Sequence, residues 1–485
     1  MKILLSDKCF ALAIFSTMIC YGMFWTIPGS LIYEVKTNIN EGMHVFGYLM
    51  MVLRIGKTVG HLIAVKVCGS VNPNNYPDIH LVFMAIQCLG VFSMPFCTRW
   101  FLLAICWTFI GITLGVIETN TIFFNCAMHH QSAPKYTNLY YFLFSLGAAL
   151  TPPLVDGTKR IIDNPKVELT AVCGIVGGLN FVLNLFAAMI LKLRRDNGIA
   201  MREAAEFNDD KATSFKAPII SNICLTMTAC LFMGGRAVME LFLLPYALNT
   251  EANLSEGASY SLVQTIFIST MIMRLIGVFI SPWLTKRVNA FLMIFWNVVL
   301  VLGVISMGAF RDHSYGGMIL TLIILGMVFG CYQNTLLNWM TDRLALNSWN
   351  TAPFFFGTCL GSSLTPAVVP HIIKNPDGSI NVDNFQTMLE VVFPLAAASC
   401  GLLMLAELLA SKSSEVSKVE SINLKPVIAR QRYNSFTSSH SAFSSVPRND
   451  STGFSQDSTM DLPGGSKSML SVVTRRSMGH CTPLI

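Results

Sequence analysis

Apolar residues arrive in runs of about twenty or more, divided by short polar stretches, through the first 410 residues. A run of that length crosses a ~30 Å hydrocarbon core as an α-helix. The pattern predicts twelve such helices, over residues 9–35, 44–68, 79–96, 100–125, 136–156, 169–193, 218–248, 258–284, 290–310, 316–340, 351–373 and 385–410. The longest internal polar stretch, 194–216, divides them six and six. The expected fold is therefore all-α: a polytopic membrane protein with six-helix bundles at 1–193 and 217–410 and a cytoplasmic linker between them. The first run is too long for a signal-peptide core and no small-residue cleavage site follows it, so it counts as a helix. After residue 410 the pattern stops. Residues 411–485 are rich in Ser and Thr and poor in aliphatics, too few to offset chain entropy, which predicts a disordered cytoplasmic tail with serines near basic residues.

Within the runs the chain repeats itself. Gly111-x-x-x-Gly115 is matched by Gly326-x-x-x-Gly330, and Asn120-Thr121 by Asn334-Thr335. Leu146-Gly147 with Leu150-Thr151-Pro152 is matched by Leu360-Gly361 with Leu364-Thr365-Pro366. The two bundles are thus expected to be duplicates. Parallel halves of this kind are the signature of alternating-access transporters, whose substrate site lies at the junction of the halves near mid-bilayer.

Composition narrows the classes. With 53% hydrophobic and only 12% charged residues, a soluble enzyme is excluded. The net charge of +6 invites a nucleic-acid reading, but Lys and Arg gather in alternate loops. Lys36, Arg99, Lys159, Arg160, Lys166, Arg311 and Lys374 fall on one side, and the other side carries roughly twice as many before the tail. That bias places both termini in the cytoplasm, in a plasma or internal membrane, with no nucleic-acid partner and a monomeric chain expected. The sequon at Asn253 falls in an outside loop. The 14 cysteines show no CxxC or other metal-ligand spacing, so no metal, disulfide framework or cofactor is expected.

Charges within the runs are few, and each costs about 2.5–3.5 kcal/mol on insertion scales unless it faces a cavity or a partner. They are Arg54, Lys57, Glu118, Arg236, Glu240 and Arg274. Arg54, Lys57 and His61 share one helix face, and Arg54-Ile55-Gly56 resembles Arg274-Leu275-Ile276-Gly277 in the corresponding helix. Such arginines bind an anionic group, brace the packing or snorkel to the surface. Arg236 and Glu240, at i and i+4, either pair with each other or serve the site. Glu118 has no base in its own helix and suits a proton carrier or a hydroxyl acceptor, the alternative being a salt bridge to Arg54 or Lys57.

Around these lie amides: Asn120 and Asn125 in the fourth helix, and Gln333, Asn334 and Asn338 in the tenth. Amides both donate and accept, as a neutral polyol requires. Trp25, Trp339 and Tyr246 offer faces for a sugar ring, though each is equally a packing residue.

Gly115-Val116-Ile117-Glu118-Thr119 and Phe142-x-Phe144-Ser145-Leu146-Gly147-Ala148 with Pro152-Pro153 carry a family resemblance. Val71-Asn72-Pro73 and the stretch from Gly234 to Glu240 support it. Over about residues 8–410 the chain resembles the major facilitator superfamily. Within it the likeness is to the branch of the fucose–proton symporter, sodium-dependent glucose transporter 1 and major facilitator superfamily domain-containing protein 4. The resemblance implies two six-helix bundles and hexose uptake by rocker-switch alternating access. It also implies a coupling and sugar-binding role for Glu118, which matches the fourth-helix carboxylate of the symporters. The first-helix carboxylate of that pattern is missing, since no Asp or Glu occurs between Asp7 and Glu34. Ala64 likewise replaces the acid of the loop motif after the second helix.

Three functions follow. The first is a sugar transporter, coupled to sodium or protons or to neither. The second is an organic-anion transporter of the same fold with Arg54, Lys57 and Arg274 as counter-charges, and the third a non-transporting receptor or scaffold acting through its tail.

Overall fold

The computed structural model describes residues 6–129, 133–197, 219–250, 254–280, 286–310, 314–343, 348–375 and 381–405. Most of the linker, the Asn253 sequon and the Ser/Thr-rich tail lie outside them. The described chain is helical throughout, as the apolar runs require. The first half holds α1 (Asp7–Ser30), α2 (Ile32–Ile39), α3 (Met43–Ser70), α4 (Tyr76–Ser93), α5 (Trp100–His129), α6 (Ala133–Ile161) and α7 (Pro165–Asp196). The second holds α8 (Ile219–Leu248), α9 (Glu256–Ile280), α10 (Lys286–Phe310), α11 (Tyr315–Arg343), α12 (Ser348–Ile372) and α13 (Val382–Leu405). Twelve are long; α2 is a short addition.

Local chemistry sets the ends. Ser6 caps α1 by accepting from the Cys9 N–H at 3.3 Å, and Asp7 complements the helix dipole. The first apolar run ends earlier than expected: the helix is interrupted at Leu31 (φ −111°, ψ 28°), so Glu34 belongs to the separate helix α2. Asn40, at φ 55°, closes α2 in the left-handed conformation that an amide side chain tolerates. Pro28, Pro152, Pro153 and Pro245 lie inside α1, α6 and α8, whose helices continue past them.

Ten of the twelve long helices are apolar enough to span a membrane by composition alone; α6 and α12 fall short. These two are counterparts in the repeat, and hydroxyl residues lower their hydropathy. The hydroxyls are satisfied within the helix. Ser145, Thr151 and Thr158 donate to the carbonyl four residues back at 3.0, 3.2 and 2.7 Å, and Ser362 and Thr365 do the same at 2.7 Å.

The repeated glycines locate the same helix crossings in each half. A Cβ on Gly115 would overlap the Lys57 carbonyl of α3, and one on Gly330 would press the Thr270 carbonyl of α9. A Cβ on Gly147 would overlap the Ile19 carbonyl of α1, and one on Gly361 the Cys230 carbonyl of α8. Close backbone approach through small residues is how helices associate where lipid removes the hydrophobic drive. So α3 pairs with α5 as α9 pairs with α11, and α1 with α6 as α8 with α12. Between the halves α6 packs on α9 and α12 on α3, the same contact generated twice by the duplication.

Candidate functional site

The charges predicted at membrane depth converge where the halves meet. A small cavity lies there. Tyr21 and Trp25 of α1, Lys57 of α3, Glu118 of α5 and Tyr140, Tyr141 and Phe144 of α6 form one wall. Met233 and Arg236 of α8 and Arg274 of α9 form the other.

Two ion pairs stand across this space. Lys57 Nζ lies 2.6 Å from Glu118 Oε2, so the salt-bridge alternative for Glu118 describes its state here. The Tyr141 hydroxyl donates to Glu118 Oε1 at 3.3 Å, and His61 Nε2 stands 3.8 Å away with its Nδ1 2.6 Å from the Thr119 hydroxyl. In the other half Arg236 Nε donates to Glu240 Oε1 at 2.7 Å. Glu240 Oε2 accepts from the Trp25 indole at 2.8 Å, which ties α8 to α1 across the junction.

Two further cations have no carboxylate of their own. Arg54, 1% exposed, lays its guanidinium over the Trp25 ring, 3.4 Å from the centroid. Its Nε and Nη1 have no hydrogen-bond partner among the described residues. Arg274, equally buried, donates from Nη1 to the Tyr141 carbonyl at 3.0 Å and to the Ser145 hydroxyl at 2.5 Å. Neither arginine snorkels: Arg274 braces one half against the other, and Arg54 rests on an aromatic face.

Other expected site residues are placed elsewhere. Asn120 is a core residue, donating to the Tyr76 carbonyl at 2.8 Å and accepting from the Cys68 thiol at 3.4 Å. Asn125 is buried in α5 but does not line the cavity. Tyr246 is a packing residue, wholly buried and stacked on Phe385 at 4.8 Å. Trp25 does line the cavity, yet Arg54 and Tyr21 stack on its ring, so its faces are taken. The side chains of Gln333, Asn334, Asn338 and Trp339 lie outside the described residues.

The α6–α9 seam is tied at three depths. Near the face where α1 starts, the Asn138 amide donates to the Gly277 carbonyl at 3.4 Å; Arg274 holds the middle. At the far face Lys159 contacts Glu256 and lies 3.6 Å from Glu34. Among the described residues the α3–α12 seam is held without an ion pair, by Tyr48 against His371 at 3.2 Å and by His61 stacked on Phe355 at 4.8 Å. A wider cavity opens at the far face around Glu34, Lys159, Glu168 and Glu256. Burial pushes the Glu34 carboxyl above its ordinary range.

Sequence reasoning missed the aromatic wall. Of its members only Trp25 was singled out; Tyr21, four residues before it, and Tyr140, Tyr141 and Phe144 at i, i+1 and i+4 are periodic aromatics of the kind that also fills a core. It also missed His80, whose buried ring lies 2.8 Å from the Thr17 hydroxyl and 3.2 Å from that of Thr121.

Comparison with known proteins agrees with this architecture. The structure is similar to that of the transporter FucP in its outward conformation, with a TM-score of 0.57 at 10% identity, covering 82% of this chain and 99% of that one. It is also similar to a D-xylose-proton symporter, with a TM-score of 0.62 at 11% identity, covering 80% and 96%. The nucleoside transporter NupG scores 0.55 at 11% identity, covering 82% and 99%. In sequence, 134 residues are 24% identical to human sodium-dependent glucose transporter 1, a stretch spanning 27% of this chain and 25% of the relative. The family model for the Major Facilitator Superfamily matches residues 13–366. A duplicated all-α membrane chain whose charged cavity lies between its halves, matched over most of its length by that model, belongs to the Major Facilitator Superfamily.

Proposed function

We propose that the chain carries a small polyhydroxylated solute, of the hexose class, across its membrane by rocking its two halves about the central cavity. The observation that carries this reading is the cavity's composition from both halves. Lys57, Glu118 and Tyr141 stand on one side and Arg236 and Arg274 on the other, so a solute bound there touches both moving parts. Tyr140, Tyr141 and Phe144 supply ring faces, while Tyr hydroxyls, guanidinium groups and carboxylates supply the donors and acceptors that sugar hydroxyls need. The names of the glucose and xylose relatives support a monosaccharide, and that of the glucose relative a hexose. In this reading Glu118 binds solute or a coupling ion and Arg236 binds solute when their ion pairs part, and the helix carrying Gln333, Asn334 and Asn338 adds its amides.

The test is counterflow in proteoliposomes. Vesicles preloaded with unlabelled solute, from a panel of hexoses and their oxidised and phosphorylated derivatives, should accumulate labelled solute transiently. Exchange that shows no acceleration by internal solute rules out an alternating-access carrier. Repeating the uptake under an imposed sodium or proton gradient decides between symport and uniport.

A further inference from the structure

Resting on that reading, we infer that the solute is an anion: a sugar bearing a carboxylate or phosphate group, held by the cation excess of the central cavity. Four cations stand at the junction, Arg54, Lys57, Arg236 and Arg274, against two carboxylates, Glu118 and Glu240. Each carboxylate is already engaged, at 2.6 Å with Lys57 and 2.7 Å with Arg236. Among the described residues the junction therefore holds two more buried positive charges than carboxylates, with Glu240 shared between Arg236 and its arginine neighbours. Arg54 stands behind Trp25 rather than in the cavity lining, against the ring face and in the field of Glu240, and its Nε and Nη1 are unpartnered among the described residues. Arg274 relies on a carbonyl and a hydroxyl, with its Nε likewise unpartnered.

The side chains of α11 and α12 outside the described residues do not close the balance. The sequence of α11 offers Gln333, Asn334 and Asn338 but no carboxylate before Asp342 in its last turn, and α12 has no Asp or Glu. A buried charge without a partner is costly, and a chain keeps one where a ligand supplies the complement. A neutral hexose leaves the excess in place. A carboxylate or phosphate removes it, and guanidinium groups bind both through paired hydrogen bonds.

The experiment compares D-glucose, D-glucuronate, D-glucose 6-phosphate and malate on the purified full-length protein, reading melting temperature and affinity at constant ionic strength. One of the charged sugars should bind about tenfold or more tighter than glucose, and the stronger of the two identifies the anionic group. Arg54→Gln should erase most of that preference while leaving the ligand-free melting temperature equal to or above wild type, since it removes an uncompensated charge. Glucose binding as tightly as both charged sugars, or no response to any anion, overturns the inference and leaves the hexose reading standing or falling on glucose alone. Binding of malate without any sugar overturns the inference together with the hexose reading, because the site then recognises an anion that is not a sugar. A sharp fall in ligand-free stability of Arg54→Gln also overturns the inference, because it means the charge is already compensated within the fold.

Discussion

At the residue scale the Lys57–Glu118 pair makes the sharpest claim. Both side chains are nearly buried and 2.6 Å apart, so removing one partner strands the other. Glu118→Gln and Lys57→Met should each lower stability, by about 3–5 kcal/mol for a buried pair, and the double substitution should restore most of the loss. A double-mutant cycle by thermal unfolding measures this coupling; additive losses would sink the pairing as a source of stability. How much of the site was legible divides along helix geometry. The six charges were readable because a charge in an apolar run is conspicuous, and their shared depth followed from the spacing. The partner was legible only as one of two candidates, Arg54 or Lys57, because the crossing of α3 and α5 decides which of them reaches Glu118. Asn120 misled for a related reason: two residues from Glu118 it points about 200° around the helix, into the α3–α4 core rather than the cavity. Asn125 returns to the right face, but about 10 Å along the axis.

At the element scale the glycine repeat was the most legible signal, and the structure gives its physical meaning. Gly147 and Gly361 each lie where a side chain would run into the backbone of a crossing helix, whereas a Cβ on Gly174 meets nothing within 4 Å. Gly147→Val and Gly361→Val should therefore lose at least the 1–3 kcal/mol typical of overpacking and yield little folded protein, while Gly174→Ala should behave as wild type. Size-exclusion profiles and melting curves of the three variants check this together; a well-folded Gly361→Val would show that the two halves are not packed alike. The interruption at Leu31 was not legible, since α1 and α2 form one apolar run and only backbone angles separate them.

For the whole molecule, rocking requires that the α6–α9 seam part. Lys159 closes its far end by contacting Glu256. A disulfide between Lys159→Cys and Glu256→Cys should abolish transport and release it on reduction; full transport with the link intact would exclude opening at this face. Acidity acts nearby. The buried Glu34 carboxyl, facing Lys159 of α6, Glu168 of α7 and Glu256 of α9, is raised above 4.5 chiefly by desolvation. The folded state therefore holds that proton more tightly than the unfolded one. The stabilisation is complete below about 4.5 and is lost as pH rises through the raised value. Melting temperature measured across this window should fall with rising pH, and Glu34→Gln should flatten the slope; an unchanged slope would assign the effect to its acidic neighbours.

The unbalanced cations also make the empty carrier an electrical object. One elementary charge moved through the whole of a 100 mV potential exchanges about 2.3 kcal/mol with it. Arg54 of α3 and Arg274 of α9 sit on opposite halves, and a guanidinium stays protonated in proteins. Any net shift of that pair along the membrane normal as the halves rock becomes a capacitive current that appears without solute and shrinks when a bound anion moves with the cations. Voltage steps on membranes rich in the protein should record such transients, larger in the empty carrier than in the loaded one, and reduced in Arg54→Gln.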